Sequence, residues 1–244
     1  MTRSTGGLGQ LAATYLLRRG HRVVGHARNE QRAADMRRDL PEIDDVVVGD
    51  LLNLQETQVL ASQINVLGTF DVIIHNSGEY GLPDAEILNA NSLSPYLLTS
   101  LVEPPQQLTY LTSDLHLGGD LKLDELRTGG TRVNYHDSKL HLATLAMAIG
   151  RRWPDCRVNA VAPGWVPTLM GVHNGPYAPD DLREGYMTQT LLAEGADPVA
   201  QFEGEFLFQR EPESRVHRAV RDIDAQEALL DAYAQRTGVP LPRN

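Results

Sequence analysis

Tyr135 and Lys139 stand four residues apart in a stretch patterned as a long helix, so their side chains share one face. A lysine ammonium held near a phenol favours the phenolate and lowers the tyrosine pKa from about 10, which gives a general acid/base usable near neutral pH. Composition sharpens the pairing. The chain has twenty arginines and only two lysines, Lys122 and Lys139, and one of the two falls four residues after a tyrosine. Upstream, Ser113 ends an apolar stretch, where its hydroxyl can hydrogen-bond a substrate carbonyl. A second group of residues suits a nucleotide. Gly6-Gly7-Leu8-Gly9 opens a helix, and glycines at a helix N-terminus let backbone N–H groups approach a diphosphate. Arg28 follows the second strand-like stretch, where an arginine pairs with a 2′-phosphate and favours NADP, whereas an acidic residue favours NAD. Asp50 closes the next stretch and is placed to accept from an adenine amino group. Taken singly, each has a plainer reading: a solvated arginine, a turn aspartate, a turn serine, a glycine-rich helix start.

The elements that must position these residues alternate. Strands are expected at Arg22–His26, Asp45–Val48, Phe70–His75, Leu108–Thr112, Arg157–Ala162 and Gly204–Phe208. Helices are expected at Leu8–Arg19, from the Asn29 cap to Leu40, and at Leu54–Val66, Ala85–Val102, Asn134–Trp153 and Asp222–Thr237. The polar stretch Asp114–Arg132 reads as an inserted loop. This order predicts an α/β fold: a Rossmann-like, doubly wound parallel sheet with helices on both faces, in one domain over residues 1–244. Ligands of such sheets sit beyond the carboxyl ends of the strands, which is where the residues above fall.

A net charge of −10 argues against nonspecific binding to nucleic acid or anionic membranes. No apolar run approaches the ~20 residues of a membrane span. The single cysteine, Cys156, suits a cytoplasmic protein. His116, His136 and His141 lack zinc-ligand spacing, so no metal is expected.

In order, Thr2-x-x-x-x-Gly7-Leu8-Gly9, Asp50-Leu51, Asn76-Ser77-Gly78, Asn91, Ser113, Tyr135-x-x-x-Lys139 and Pro163-Gly164-Trp165-Val166-Pro167-Thr168 resemble the short-chain dehydrogenase/reductase family over nearly the whole chain. The Ser113-x-x-His116 and Asp120–Leu126 stretch resembles its retinol-dehydrogenase-like branch. The resemblance implies a nicotinamide-dependent oxidoreductase acting on a small carbonyl or alcohol, with NADP as cofactor and NAD as the alternative. It implies Tyr135 as the acid/base, Ser113 polarising the carbonyl, Lys139 lowering the tyrosine pKa and holding the nicotinamide ribose, and Asn91 supporting a water and proton relay to Lys139. It implies cofactor contacts from Ser4, Thr5, Gly7, Leu8, Arg28, Asp50, Leu51, Asn76, Ser77, Gly78, Tyr135, Lys139, Val166 and Thr168. It also implies homo-oligomers formed through the helices Ala85–Val102 and Asn134–Trp153.

Two departures stand out. The motif's first glycine is Arg3 here, at a cost of about 1 kcal/mol if the position requires φ > 0. Almost nothing precedes the glycine run, so the first strand is expected to be largely missing, with Met1 an internal start in a longer parent chain. Losing about four or five buried aliphatic side chains forfeits roughly 6–15 kcal/mol, as much as a whole domain's stability of about 5–15 kcal/mol. Two other functions are therefore kept open: a catalytically impaired nucleotide-binding or scaffold protein, and a nucleotide-sugar epimerase or dehydratase. The substrate pocket is expected against the segment Leu169–Glu194, with Tyr177, Tyr186 and Met187 lining it.

Overall fold

The computed structural model describes residues 1–173 and 178–242. Its strands are β1 (Val24–Ala27), β2 (Asp45–Val48), β3 (Val72–His75), β4 (Gln107–Leu111), β5 (Arg157–Ala162), β6 (Phe206–Phe208) and β7 (Glu211–Pro212). The helices are α1 (Gly7–Arg18), α2 (Glu30–Asp39), α3 (Leu54–Val66), α4 (Asp84–Leu88), α5 (Ser94–Leu101), α6 (Leu123–Thr128), α7 (Tyr135–Arg152), α8 (Leu169–His173), α9 (Leu182–Glu194) and α10 (Ile223–Thr237). Side-chain caps set the helix starts. The Asn29, Asn53, Asp181 and Asp222 side chains each accept from backbone N–H groups at the head of α2, α3, α9 and α10. Asn134 caps α7 in a reciprocal box with Asp137.

β1 and β2 pair in parallel, and β3-β4-β5-β6 form a parallel sheet that ends on the short antiparallel β7. Between β1 and β3 runs the N-terminal segment. The Met1 nitrogen donates to the Val24 carbonyl (2.9 Å), Thr2 N–H to Ile74 (3.0 Å) and Ser4 N–H to His26 (3.2 Å). Residues 1–4 thus join the two sheets without completing a ladder.

Alternation along each strand sends neighbours to opposite layers. Val46 packs in the cluster built on α1 and α2, while Val47 packs with Leu60 of α3 and Leu98 of α5. In β5, Val158, Ala160 and Ala162 meet the large core on α7, and Val161 meets Leu191 and Leu192 of α9. The sheet is therefore covered on both faces, a doubly wound α/β arrangement.

The structure corrects several expectations. The helix expected over Ala85–Val102 is interrupted by a π turn, Asn89–Leu93, between α4 and α5. The expected loop Asp114–Arg132 contains a 3₁₀ turn at Asp114–Gly118 and α6. The two long helices offer no free apolar face for a partner. Ser94–Ser100 of α5 and Asp137–Ile149 of α7 are buried within the chain, against α3 and α10 among other elements. Tyr177 lies outside the described residues. Met187 is buried beneath α9, and the Tyr186 ring packs toward Tyr15 of α1 at 6.4 Å.

Candidate active site

The first turn of α7 carries Tyr135 and Lys139, fixed by the Asn134 cap and by Asp137. The buried Asp137 carboxylate accepts from Asn134 N–H (3.1 Å) and from Asp120 N–H (2.8 Å). Lys139 is buried. Its Nζ donates to the Leu111 carbonyl at the end of β4 (3.1 Å) and lies 5.4 Å from the centre of the Tyr135 ring. The expected helix face is therefore real, but the expected pKa effect is not. Burial pushes the Tyr135 phenol well above its ordinary value, and the Asp114 carboxylate and Tyr80 push the same way. Lys139 Nζ makes no hydrogen bond to the Tyr135 phenol, and burial, with a further push from Arg3, pulls its own pKa down to about 8. The Tyr80 ring stands edge-on to Tyr135 at 4.8 Å.

Ser113 caps the turn that follows β4. Its hydroxyl accepts from Leu115 N–H (3.2 Å) and donates to the Asp114 carboxylate (3.0 Å), so it faces its own turn. Buried His116 fixes that turn: Nδ1–H donates to the Ser113 carbonyl (2.7 Å), and Nε2 accepts from His217 N–H (3.2 Å), partners that assign the tautomer. Asn91 sits fully buried in the π turn, a helix defect frequent at functional sites. Its amide is committed to Glu79 N–H (2.7 Å), the Glu79 carbonyl (2.9 Å) and Ser138 Oγ (3.1 Å). It clamps the loop after β3 onto α7 and makes no hydrogen bond to Lys139.

The glycine loop packs against the same β3 loop. Thr2 Oγ1 accepts from Ser77 N–H (2.9 Å), and Asn76 Nδ2 reaches the Thr2 and Arg3 carbonyls (3.3 Å each). Asn76 Oδ1 is buried without a partner. Gly9 is held so closely that a Cβ there would sit 2.3 Å from the Arg3 carbonyl oxygen and 2.6 Å from Asn76 Nδ2. A Cβ on Gly7 would lie 3.8 Å from Thr168, and Leu8 and Val166 meet over Gly185. The structure thus gathers Gly7, Leu8, Val166 and Thr168 at the head of α1. Gly78 lies on Lys139, with a hypothetical Cβ 3.0 Å from Nζ.

Beside this loop opens a cavity of about 430 Å³, walled by Thr5, Arg28, Arg32, Asp50, Leu51 and Ser77 among others. Asp50 reaches it while also closing its own turn, with Oδ1 accepting from Leu52 N–H (3.0 Å). Ser4 does not reach it. Its side chain is fully buried and its hydroxyl donates to the Met1 carbonyl (2.5 Å). Arg32 is a wall residue that sequence reasoning missed. It lies in the first turn of α2, with Nη2 donating to the Thr5 carbonyl (2.9 Å), and no sequence signal singled it out. His26 beneath the cavity is held neutral by burial, its pKa lowered to about 4. Its Nε2–H donates to Gly49 (2.7 Å), and Nδ1 accepts Arg3 N–H (3.1 Å).

These residues fit a dinucleotide. The cavity offers guanidinium groups and a carboxylate for a phosphorylated adenosine, the head of α1 has bare N–H groups for a diphosphate, and Gly78 carries the line on to Lys139. Among the described residues there is no cluster of metal-ligating side chains, and no helix is long and apolar enough to cross a membrane.

No protein-family model matches the chain. It is 35% identical to the short-chain dehydrogenase chry4 of Gibberella zeae, over 99% of this chain and 97% of the relative. Among solved structures, an uncharacterised protein from Mycobacterium Paratuberculosis superposes with a TM-score of 0.80 at 24% identity, covering 99% of this chain and 93% of that one. Pseudomonas aeruginosa RhlG, solved as an NADP active-site complex, superposes with a TM-score of 0.68 at 20% identity, covering 85% and 92%.

Proposed function

Because the chain belongs to the short-chain dehydrogenase/reductase family, we propose that it is an NADP-dependent oxidoreductase interconverting a carbonyl and a primary or secondary alcohol of a small molecule. One observation carries the reading. Tyr135 and Lys139 share a face of α7, and Gly78 joins them to the arginine-walled cavity. Bound nicotinamide supplies or accepts the hydride. Tyr135 supplies the proton. A phenol is protonated at neutral pH, the form that can donate to a carbonyl oxygen during reduction. Lys139, anchored on the Leu111 carbonyl beneath Gly78, holds the nicotinamide ribose. Ser113 turns from Asp114 to the substrate oxygen. Asn91 is a positioning residue that fixes Glu79 and the β3 loop.

Arg28 and Arg32 on the cavity wall support NADP over NAD, as does the NADP complex of RhlG. The reading includes a single domain and a cytoplasmic homo-oligomer whose interface lies away from α5 and α7. The second reading, a nucleotide-binding protein with impaired catalysis, is favoured by the engagement of the Ser113 hydroxyl with Asp114 in its own turn. Fluorescence titration with NADPH and NADH, together with a panel of carbonyls and alcohols, separates the two. Arg28→Ala should weaken NADPH binding roughly 10- to 100-fold while sparing NADH, the value of a charge-assisted phosphate contact. An unchanged NADPH/NADH ratio defeats the NADP preference. Cofactor binding without turnover on any substrate favours the second reading.

A further inference from the structure

One side chain ties the two nucleotide-facing loops together. Arg3 occupies the left-handed region at φ 49°, where glycine is at ease and other residues are strained. Its guanidinium donates to the Gly78 carbonyl, and Nη1 lies 3.0 Å from the Glu79 carboxylate. Gly78 in turn lies on Lys139 Nζ. Arg3 and Glu79 are also both in the wall of the cavity that Arg28 and Arg32 line. The guanidinium therefore stands where that cavity meets the Tyr135–Lys139 centre. A dinucleotide with its adenosine in the cavity and its nicotinamide at Lys139 has to cross this point.

We propose that Arg3 is a latch that sets cofactor affinity: held by Gly78 and Glu79 it closes the passage, and it must let go of both before a dinucleotide can span the cleft. This rests on the dinucleotide reading of the cleft. Both ends of the latch are pinned by backbone, so the moving part is the guanidinium alone. At one end, Arg3 N–H is held by His26 Nδ1 (3.1 Å). At the other, the Glu79 N–H and carbonyl are both held by the Asn91 amide. The ion pair is partly solvated, with side chains 39% and 24% exposed, so it is weak enough to open reversibly. A closed form that dominates by roughly tenfold reduces apparent affinity by the same factor, because only the open fraction is competent to bind.

The test is NADPH titration of the full chain, by fluorescence and by calorimetry, with Arg3→Gly and Glu79→Gln beside the wild type. Glycine suits the positive φ, and glutamine leaves the backbone contacts with Asn91 in place. Arg3→Gly should bind NADPH roughly tenfold more tightly and associate faster. Glu79→Gln should shift affinity in the same direction by about threefold, since the Gly78 contact survives. Glu79→Gln also keeps the proposal testable if Arg3→Gly melts early. Unchanged affinity in both variants overturns the latch. Weaker binding by Arg3→Gly also overturns it, and assigns Arg3 to a cofactor phosphate instead. If none of the three proteins binds NADPH, the dinucleotide reading fails and the latch fails with it, a result distinct from the other two.

Discussion

Gly9→Ala is the sharpest perturbation of the nucleotide loop. Gly9 and Gly150 both lie inside helices, α1 and α7, so alanine at either gains about 1 kcal/mol of helix propensity. Their surroundings differ. At Gly150 the nearest atom to a new Cβ is Val158 Cβ at 3.4 Å, an ordinary contact. At Gly9 the new carbon would meet the Arg3 carbonyl oxygen at 2.3 Å and Asn76 Nδ2 at 2.6 Å. Neither can rotate away freely. The Arg3 backbone is held by His26, and the Asn76 amide is held by the Thr2 and Arg3 carbonyls. The loop must therefore move by roughly 1 Å, at an overpacking cost of about 1–3 kcal/mol. Loss of the Asn76 contacts adds about 1 kcal/mol. Less the helix gain, Gly9→Ala should lose about 1–3 kcal/mol, a fall of roughly 2–12 °C in Tm for a chain of this size. Gly150→Ala should be neutral or gain up to about 1 kcal/mol. Scanning calorimetry reads both, and NADPH titration should show the loss of affinity confined to Gly9→Ala. A Gly9→Ala protein that melts no lower than Gly150→Ala and binds NADPH as the wild type does would refute the packing argument.

Tyr135→Phe should lower kcat by roughly 10²–10⁴-fold and leave NADPH binding intact, because the ring and its contact with Tyr80 remain; steady-state kinetics beside a binding titration checks both halves, and retained turnover would remove the acid/base assignment. Lys139 has its pKa lowered to about 8 by burial, so folding disfavours its charged form. The penalty, about 3 kcal/mol, is fully present below pH 8, shrinks as pH rises and vanishes near the unfolded value of about 10.5. Lys139→Met should therefore raise Tm at pH 7, lose that advantage by about pH 10.5, and abolish turnover; melting curves in which the Tm difference between the two proteins stays constant across this range would count against it. In the wild type, kcat/KM should fall above about pH 8 as the ammonium is lost.

What the sequence determined by itself is local. The Tyr135–Lys139 face follows from 3.6-residue periodicity, the start of α7 from the Asn134–Asp137 box, and the bare head of α1 from Gly7 and Gly9, all within a few residues of one another. The alternation of strands and helices was enough for the doubly wound sheet. The π turn that holds Asn91 was not legible, because nothing in a run such as Asn89–Leu93 distinguishes a widened helical turn from a regular one until its side chains find partners. Tertiary structure alone decided what depends on distant neighbours. Arg3 meets Glu79 across 76 residues of sequence, Asn91 closes on Ser138, and His116 is fixed by His217. It also reversed the expected effect on Tyr135. Spacing places a lysine on the same face as a phenol, but burial and Asp114 decide which form of the phenol is favoured, and burial is a property of the packed chain.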